Sequence, residues 1–140
     1  MKKVMVFGTF DIVHPGHLYV FEEAKKMADT LVVGLATDKT VEKIKKQKPF
    51  YSEQQRKAFL EHIKEVDEVY IGDENNPYLI VQKHAPDIIV LGYDQSVFVD
   101  KLEAFLQESG LTESQIIRLK KFPTQEIKSS VLKDYIEKNY

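Results

Sequence analysis

Two histidines three residues apart, His14 and His17, close the segment Gly8-Thr9-Phe10-Asp11-Ile12-Val13-His14-Pro15-Gly16-His17. Residues at that spacing share one face of a helix. Two imidazoles aimed at one bound polyphosphate could donate hydrogen bonds as charge builds on it, which is electrostatic stabilisation of a transition state. Pro15 suits the first position of a helix, where its missing N–H costs nothing. Gly16 lets a ligand come close to the backbone. The first N–H groups of a helix lack partners and its dipole is positive there, and together these attract phosphate.

The elements that position this segment follow from the pattern around it. Val4-Met5-Val6-Phe7 reads as a buried strand and Leu18–Met27 as a helix, so the histidines fall in a strand–loop–helix turn. Thr30–Ala36 is a second buried strand, which makes a βαβ unit with a parallel pair. Thr37-Asp38 lies at that strand's carboxyl end, and Asp38 is read as the cap of a helix over Lys39–Lys46. Ser52 and Gln55 form a capping box for a helix with an apolar stripe of Ala58, Phe59, Ile63 and Val66.

Three further strands are expected: Asp67–Ile71, Ile88–Leu91 and Gln115–Leu119, the last at an edge. Helices are expected to open at Pro77 and to span Val99–Ser109, with Gly110 as C-cap, and Val131–Lys138. Asp94, just after the fourth strand, could accept from a ribose hydroxyl or a base amine or orient a magnesium-bound water; the bland alternative is a turn or cap. Ser129 and Ser130 at a helix start offer hydroxyls to a phosphate or simply cap. His62 and His84 lie among ordinary helix residues and carry no assigned chemistry.

The whole is an α/β chain: a Rossmann-like, doubly wound, five-stranded parallel sheet with helices on both faces and a ligand crevice beside strands one and four. At 140 residues it is expected to be one domain over 1–140. Net charge is -2, so overall charge points to no nucleic acid and no membrane. There is no cysteine, hence no disulfide framework and no thiolate chemistry. No apolar run approaches the ~20 residues needed to span a bilayer. No signal-peptide pattern opens the chain, so the expected location is cytoplasmic.

Gly8-Thr9-Phe10-Asp11 followed by His14-Pro15-Gly16-His17 resembles the HxGH signature of the cytidylyltransferase-like nucleotidyltransferases. That resemblance implies transfer of a nucleoside monophosphate from a nucleoside triphosphate, with release of pyrophosphate. It implies His14, His17 and a loop lysine as catalytic groups. Lys45 is the best match by position, with Lys46 and Lys48 as rivals. It assigns Gly8, Thr9, Phe10, His14, Pro15, Gly16, His17, Asp94 and Ser129 to the nucleotide, and Asp11 and Arg56 to the acceptor. A surface ion pair is the alternative for Arg56. No residue is assigned as a metal ligand; magnesium or another divalent cation is expected to bridge the phosphates. A homodimer is implied as well.

Four stretches are similar to the archaeal FAD synthase branch, which adenylylates FMN: Ala36–Val41, Lys48-Pro49, Glu53-Gln54-Gln55-Arg56 and Leu91-Gly92-Tyr93-Asp94-Gln95. The branch implies ATP and FMN as substrates. The alternatives are CTP with glycerol 3-phosphate or a sugar phosphate, and, in another class, a nucleotide-binding module without turnover. The C-terminal Arg-Thr-Glu-Gly-Ile-Ser-Thr-Thr motif of glycerol-3-phosphate cytidylyltransferases has lost its arginine and glycine in Phe122–Ser130. Lys121 stands nearby as a possible substitute for the charge, without arginine's bidentate fork.

Overall fold

The computed structural model describes residues 1–93, 95, 101–120 and 129–139, without the side chains of residues 129–132. Five strands, β1 (Lys3–Gly8), β2 (Thr30–Leu35), β3 (Glu68–Ile71), β4 (Ile88–Leu91) and β5 (Gln115–Arg118), form one sheet in the order β3-β2-β1-β4-β5. Every pairing is parallel, with Gly8 opposite Leu35 and Val6 opposite Val90. The expected five-stranded parallel sheet is present, and β5 is at the edge.

Alternation along β1 explains why both sheet faces are covered. Val4 and Val6 point to one face with Leu31, Val33 and Val90, against Phe21 and Ala24 of helix α1 (Pro15–Lys25) and Leu60 of helix α3 (Glu53–Glu61). Met5 and Phe7 point to the other with Val32, Ile89 and Leu91. There they meet Ile80 and Val81 of helix α4 (Leu79–His84) and Leu102 and Leu106 of helix α5 (Leu102–Glu108). A parallel sheet buried on both sides reads as unbroken apolar runs, which is why these strands were legible.

Two short elements differ from expectation. Helix α2 spans Asp38–Lys45, and its cap is Thr37, whose Oγ1 accepts from Thr40 N at 3.0 Å; Asp38 is not the cap. In α3 the Ser52–Gln55 capping box is present, but Phe59 is not in the core: the buried residues of that helix are Arg56 and Leu60. A last helix, α6, runs Ser129–Asn139.

The sheet order changes direction at β1, between β2 and β4. Open α/β sheets bind ligands at such a point, beyond the carboxyl ends of the strands. The loop Thr9–His14 emerges there from β1.

Candidate active site

His14 is the N-cap of α1, in extended backbone conformation. Its Nδ1 accepts from Gly16 N at 3.1 Å, and His17 Nδ1 accepts from His14 N at 3.3 Å. The two imidazoles thus make the reciprocal pair that Ser and Glu make in an ordinary capping box. One correction follows. Pro15 has no N–H, Gly16 N is spent on His14 Nδ1, and His17 N donates to His14 O at 2.9 Å, so the first turn has no bare backbone donors to offer. The histidine cap has consumed them.

What the turn offers instead is set by tautomer. A neutral imidazole carries one proton, and in both rings Nδ1 is the acceptor, so the proton sits on Nε2. Burial keeps His14 below its ordinary pKa. Burial, the neighbouring His14 and the Lys45 ammonium push His17 down to about 3. The rings stack with centroids 3.9 Å apart and planes 24° from parallel. The result is two neutral Nε2–H donors side by side, at the positive end of a helix dipole.

Phe10 forms the support beneath them. Its φ is +47°, and its ring packs edge-on against His17 at 5.2 Å and against Phe21 at 5.2 Å. Gly8 makes room for that ring: a Cβ at Gly8 would lie 2.9 Å from the Phe10 ring. The Phe10 ring belongs to the core, which leaves its backbone as the part of the residue on the loop.

Asp11 is buried, at 5% exposure, and its carboxylate is fully engaged. It accepts from Phe50 N at 2.6 Å and Tyr51 N at 2.8 Å, and pairs with the Lys133 ammonium of α6. Burial raises the carboxyl's pKa, but the Lys133 partner and the two amides outweigh it and hold Asp11 below its ordinary value. Lys45, at the end of α2, joins the same cluster. Burial, Lys133 and Arg56 lower its ammonium's pKa, while Asp11 opposes them. Of the three candidate lysines, Lys45 is the one whose charge acts on both His17 and Asp11.

Arg56 is 1% exposed, so the surface ion-pair alternative is excluded. Its Nη1 donates to Thr9 O and Ala36 O, each at 2.9 Å, its Nε to Tyr51 O at 3.1 Å, and its Nη2 to Asp38 Oδ1 at 2.7 Å. One guanidinium thus ties the loop after β1, the residue after β2, the start of α2 and the segment that leads into α3. Its first task is to hold the site's walls together. Asp11, Tyr51, Gln55, Arg56 and Phe59 line a cavity of about 150 Å³ beside this bracket.

On the other side of β1, Gln95 Nε2 donates to Phe7 O at 3.2 Å, and Arg118 Nη1 donates to Gly92 O and Gln95 O, each at 2.9 Å. These bonds fasten the loop after β4 to β1 on one side and to β5 on the other. Asp94, Lys121 and residues 122–128 lie outside the described residues, as does the side chain of Ser129. His62 bonds Ala58 O and His84 packs on Tyr70, and neither is among the cradle's contacts. Lys133 and Arg118 carry no local sequence signal; each is recognised only by its distant partners. Among the described residues no group of three or more His, Cys, Asp or Glu is set to hold a metal ion, and no helix is long and apolar enough to cross a membrane.

This geometry can be compared with known proteins. The family model described as cytidylyltransferase-like matches residues 5–134. An FAD synthase of Ferroglobus placidus is 43% identical over 120 residues, 86% of this chain and 77% of that protein. An FAD synthase of Methanobrevibacter smithii is 44% identical over 134 residues, 93% of this chain and 86% of that protein. Among solved structures, one described as a lipopolysaccharide core biosynthesis protein from Thermoplasma volcanium superposes with a TM-score of 0.80 at 37% identity, covering 87% of this chain and 98% of that one.

Proposed function

The chain belongs to the cytidylyltransferase-like family, and from that premise we propose that it is an FMN adenylyltransferase, making FAD and pyrophosphate from ATP and FMN. Its relatives named FAD synthase, 43% and 44% identical over most of the chain, support ATP and FMN over CTP and a polyol phosphate. The observation that carries the chemistry is the stacked His14–His17 pair with both Nδ1 atoms committed to backbone N–H groups.

ATP lies with its phosphates over the start of α1. An oxygen of the FMN phosphate attacks the α-phosphorus in line; the bond from that phosphorus to the bridging oxygen breaks, and the electron pair leaves on pyrophosphate. The acceptor is already an anion, so no covalent enzyme intermediate is needed, and catalysis is positioning and charge neutralisation. His14 and His17 donate from Nε2 to the phosphate oxygens, and Lys45 adds positive charge beside them. Thr9 and the backbone of Phe10 border the nucleotide, and Asp94 and Ser129 are assigned to it by family resemblance. Asp11 and Arg56 shape the acceptor's side.

A divalent cation, magnesium in the first instance, neutralises phosphate charge in this chemistry. Among the described residues no group of three or more His, Cys, Asp or Glu is set to hold it, and the Asp11 carboxylate is already bonded to Phe50 N and Tyr51 N. The family likeness also carries a homodimer into the proposal, which light scattering reads directly.

The deciding experiment incubates the protein with ATP, FMN and magnesium and follows FAD and pyrophosphate by chromatography. FAD formation is the expected result. Turnover with CTP and glycerol 3-phosphate in its place would overturn the substrate assignment. Nucleotide binding without pyrophosphate release across both acceptor sets would overturn the enzymatic one.

A further inference from the structure

Three large aromatic side chains are left open to solvent in one place: Phe50 at 70%, Tyr51 at 41% and Phe59 at 57% exposure. Tyr51 and Phe59 wall the cavity of about 150 Å³ whose remaining lining is Asp11, Gln55 and Arg56. The Phe50 ring stands edge-on to Tyr51, with centroids 4.9 Å apart. Exposed aromatic surface gathered on one recess marks a binding site rather than ordinary surface.

The backbone under this recess is fixed. Asp11 takes the N–H groups of Phe50 and Tyr51, and Arg56 Nε holds Tyr51 O. The rings are therefore presented by a stretch pinned to the same loop that carries His14 and His17. The recess is lined by Asp11 of the loop after β1 and by Tyr51, Gln55, Arg56 and Phe59 at α3, while the sheet's reversal lies at β1, between β2 and β4. A nucleotide seated in the crevice leaves the recess for the acceptor. Gln55 Oε1 is committed to Ser52 N at 3.0 Å, so its Nε2 remains a donor at the rim.

We infer that Tyr51 and Phe59 form the stacking surface for a flat, polar-edged aromatic ring system on the acceptor, the isoalloxazine of FMN. Asp11, three residues before His14 in the same loop, lines the recess. The inference rests on the FMN reading above and adds where the ring sits and which side chains select it. Tyr51 contributes its backbone to Asp11 and Arg56 in any variant, so its ring and that of Phe59 are separable from the fold.

The test uses Phe59→Ala and Phe59→Trp in the full chain. Loss of one stacked ring costs roughly tenfold in affinity. Phe59→Ala is expected to raise KM for FMN by about that factor while leaving kcat and KM for ATP unchanged, and Phe59→Trp to restore it. FMN fluorescence is expected to be quenched by the wild type without ATP, and far less by Phe59→Ala. Unchanged KM for FMN and unchanged quenching in Phe59→Ala would overturn the inference. So would a variant that changes oligomeric state while KM for FMN holds, since the recess would then take a second copy of the chain. If the wild type quenches FMN through Phe59 but makes no FAD, the function reading falls and the flavin recess stands.

Discussion

The imidazole of His14 lies stacked on that of His17, 3.9 Å between centroids, and each ring accepts a backbone N–H through Nδ1. Structure and chemistry coincide here: the bonds that cap α1 are the bonds that fix the proton on each Nε2. His17→Ala removes one such donor. It is expected to lower kcat on the order of a hundredfold or more, with the circular dichroism spectrum of the folded chain retained. Near-normal turnover in steady-state assays would refute the role of the pair.

The depressed pKa of His17 has a sign that can be read in stability. Its value falls from the ordinary 6.5 to about 3 on folding. Between those limits the unfolded chain takes a proton that the folded chain refuses. This contribution is therefore complete above pH 6.5 and is lost as pH falls toward about 3. Melting temperature is expected to slope downward over that window, and the slope to be shallower in His17→Ala. Scanning calorimetry from about pH 3 to about pH 7, which spans the window, would show a parallel pair of curves if the idea were wrong.

Arg56 is the single bracket of the site's walls. Arg56→Leu leaves Thr9 O, Ala36 O and Tyr51 O without their donor and Asp38 without its cation. Asp38 is 39% exposed and regains water, so the cost lies in the carbonyls left without a donor, about 1–3 kcal/mol for one left unpaired in the interior. Denaturant titration is expected to show a loss of that order, and Arg56→Lys to recover only part of it because an ammonium lacks the guanidinium fork. A loss within about 0.5 kcal/mol, the usual range for surface substitutions, would mean the bracket is dispensable.

Lys133 links α6 to Asp11 across 122 residues of chain. Lys133→Met removes the cation that offsets the burial of that carboxylate. The Asp11 pKa is expected to rise, and amide exchange in α6 to speed up relative to the strands. Carboxyl titration by NMR together with hydrogen exchange reads both; unchanged exchange in α6 would show that the helix is held by other contacts.

The sheet was legible because its strands are apolar on both faces, and the Ser52–Gln55 box because its two residues are local. The same logic misassigned Asp38: Thr37 and Asp38 are both good caps, and in the fold Thr37 caps while the Asp38 carboxylate is taken by Arg56. Phe59 was read as core because its spacing fits an apolar stripe, yet it is Arg56, a charged residue, that α3 buries. Sequence pattern cannot see that three carbonyls from three loops await a guanidinium. Nor could it place Lys133, whose partner is set by the fold alone. The histidine motif was visible, but not that one ring would take Gly16 N and the other His14 N.

Phe10 holds a left-handed backbone at φ +47°, a conformation that costs a non-glycine residue about 1–3 kcal/mol and persists only where the surroundings over-determine it. What over-determines it is the wedging of its ring between Phe21 and His17. Interior and catalyst are therefore geared to one another. A change of bulk at Phe21, one turn along α1 and fully buried, re-aims an imidazole, so descendants of this chain cannot drift in their oil and keep their turnover independently.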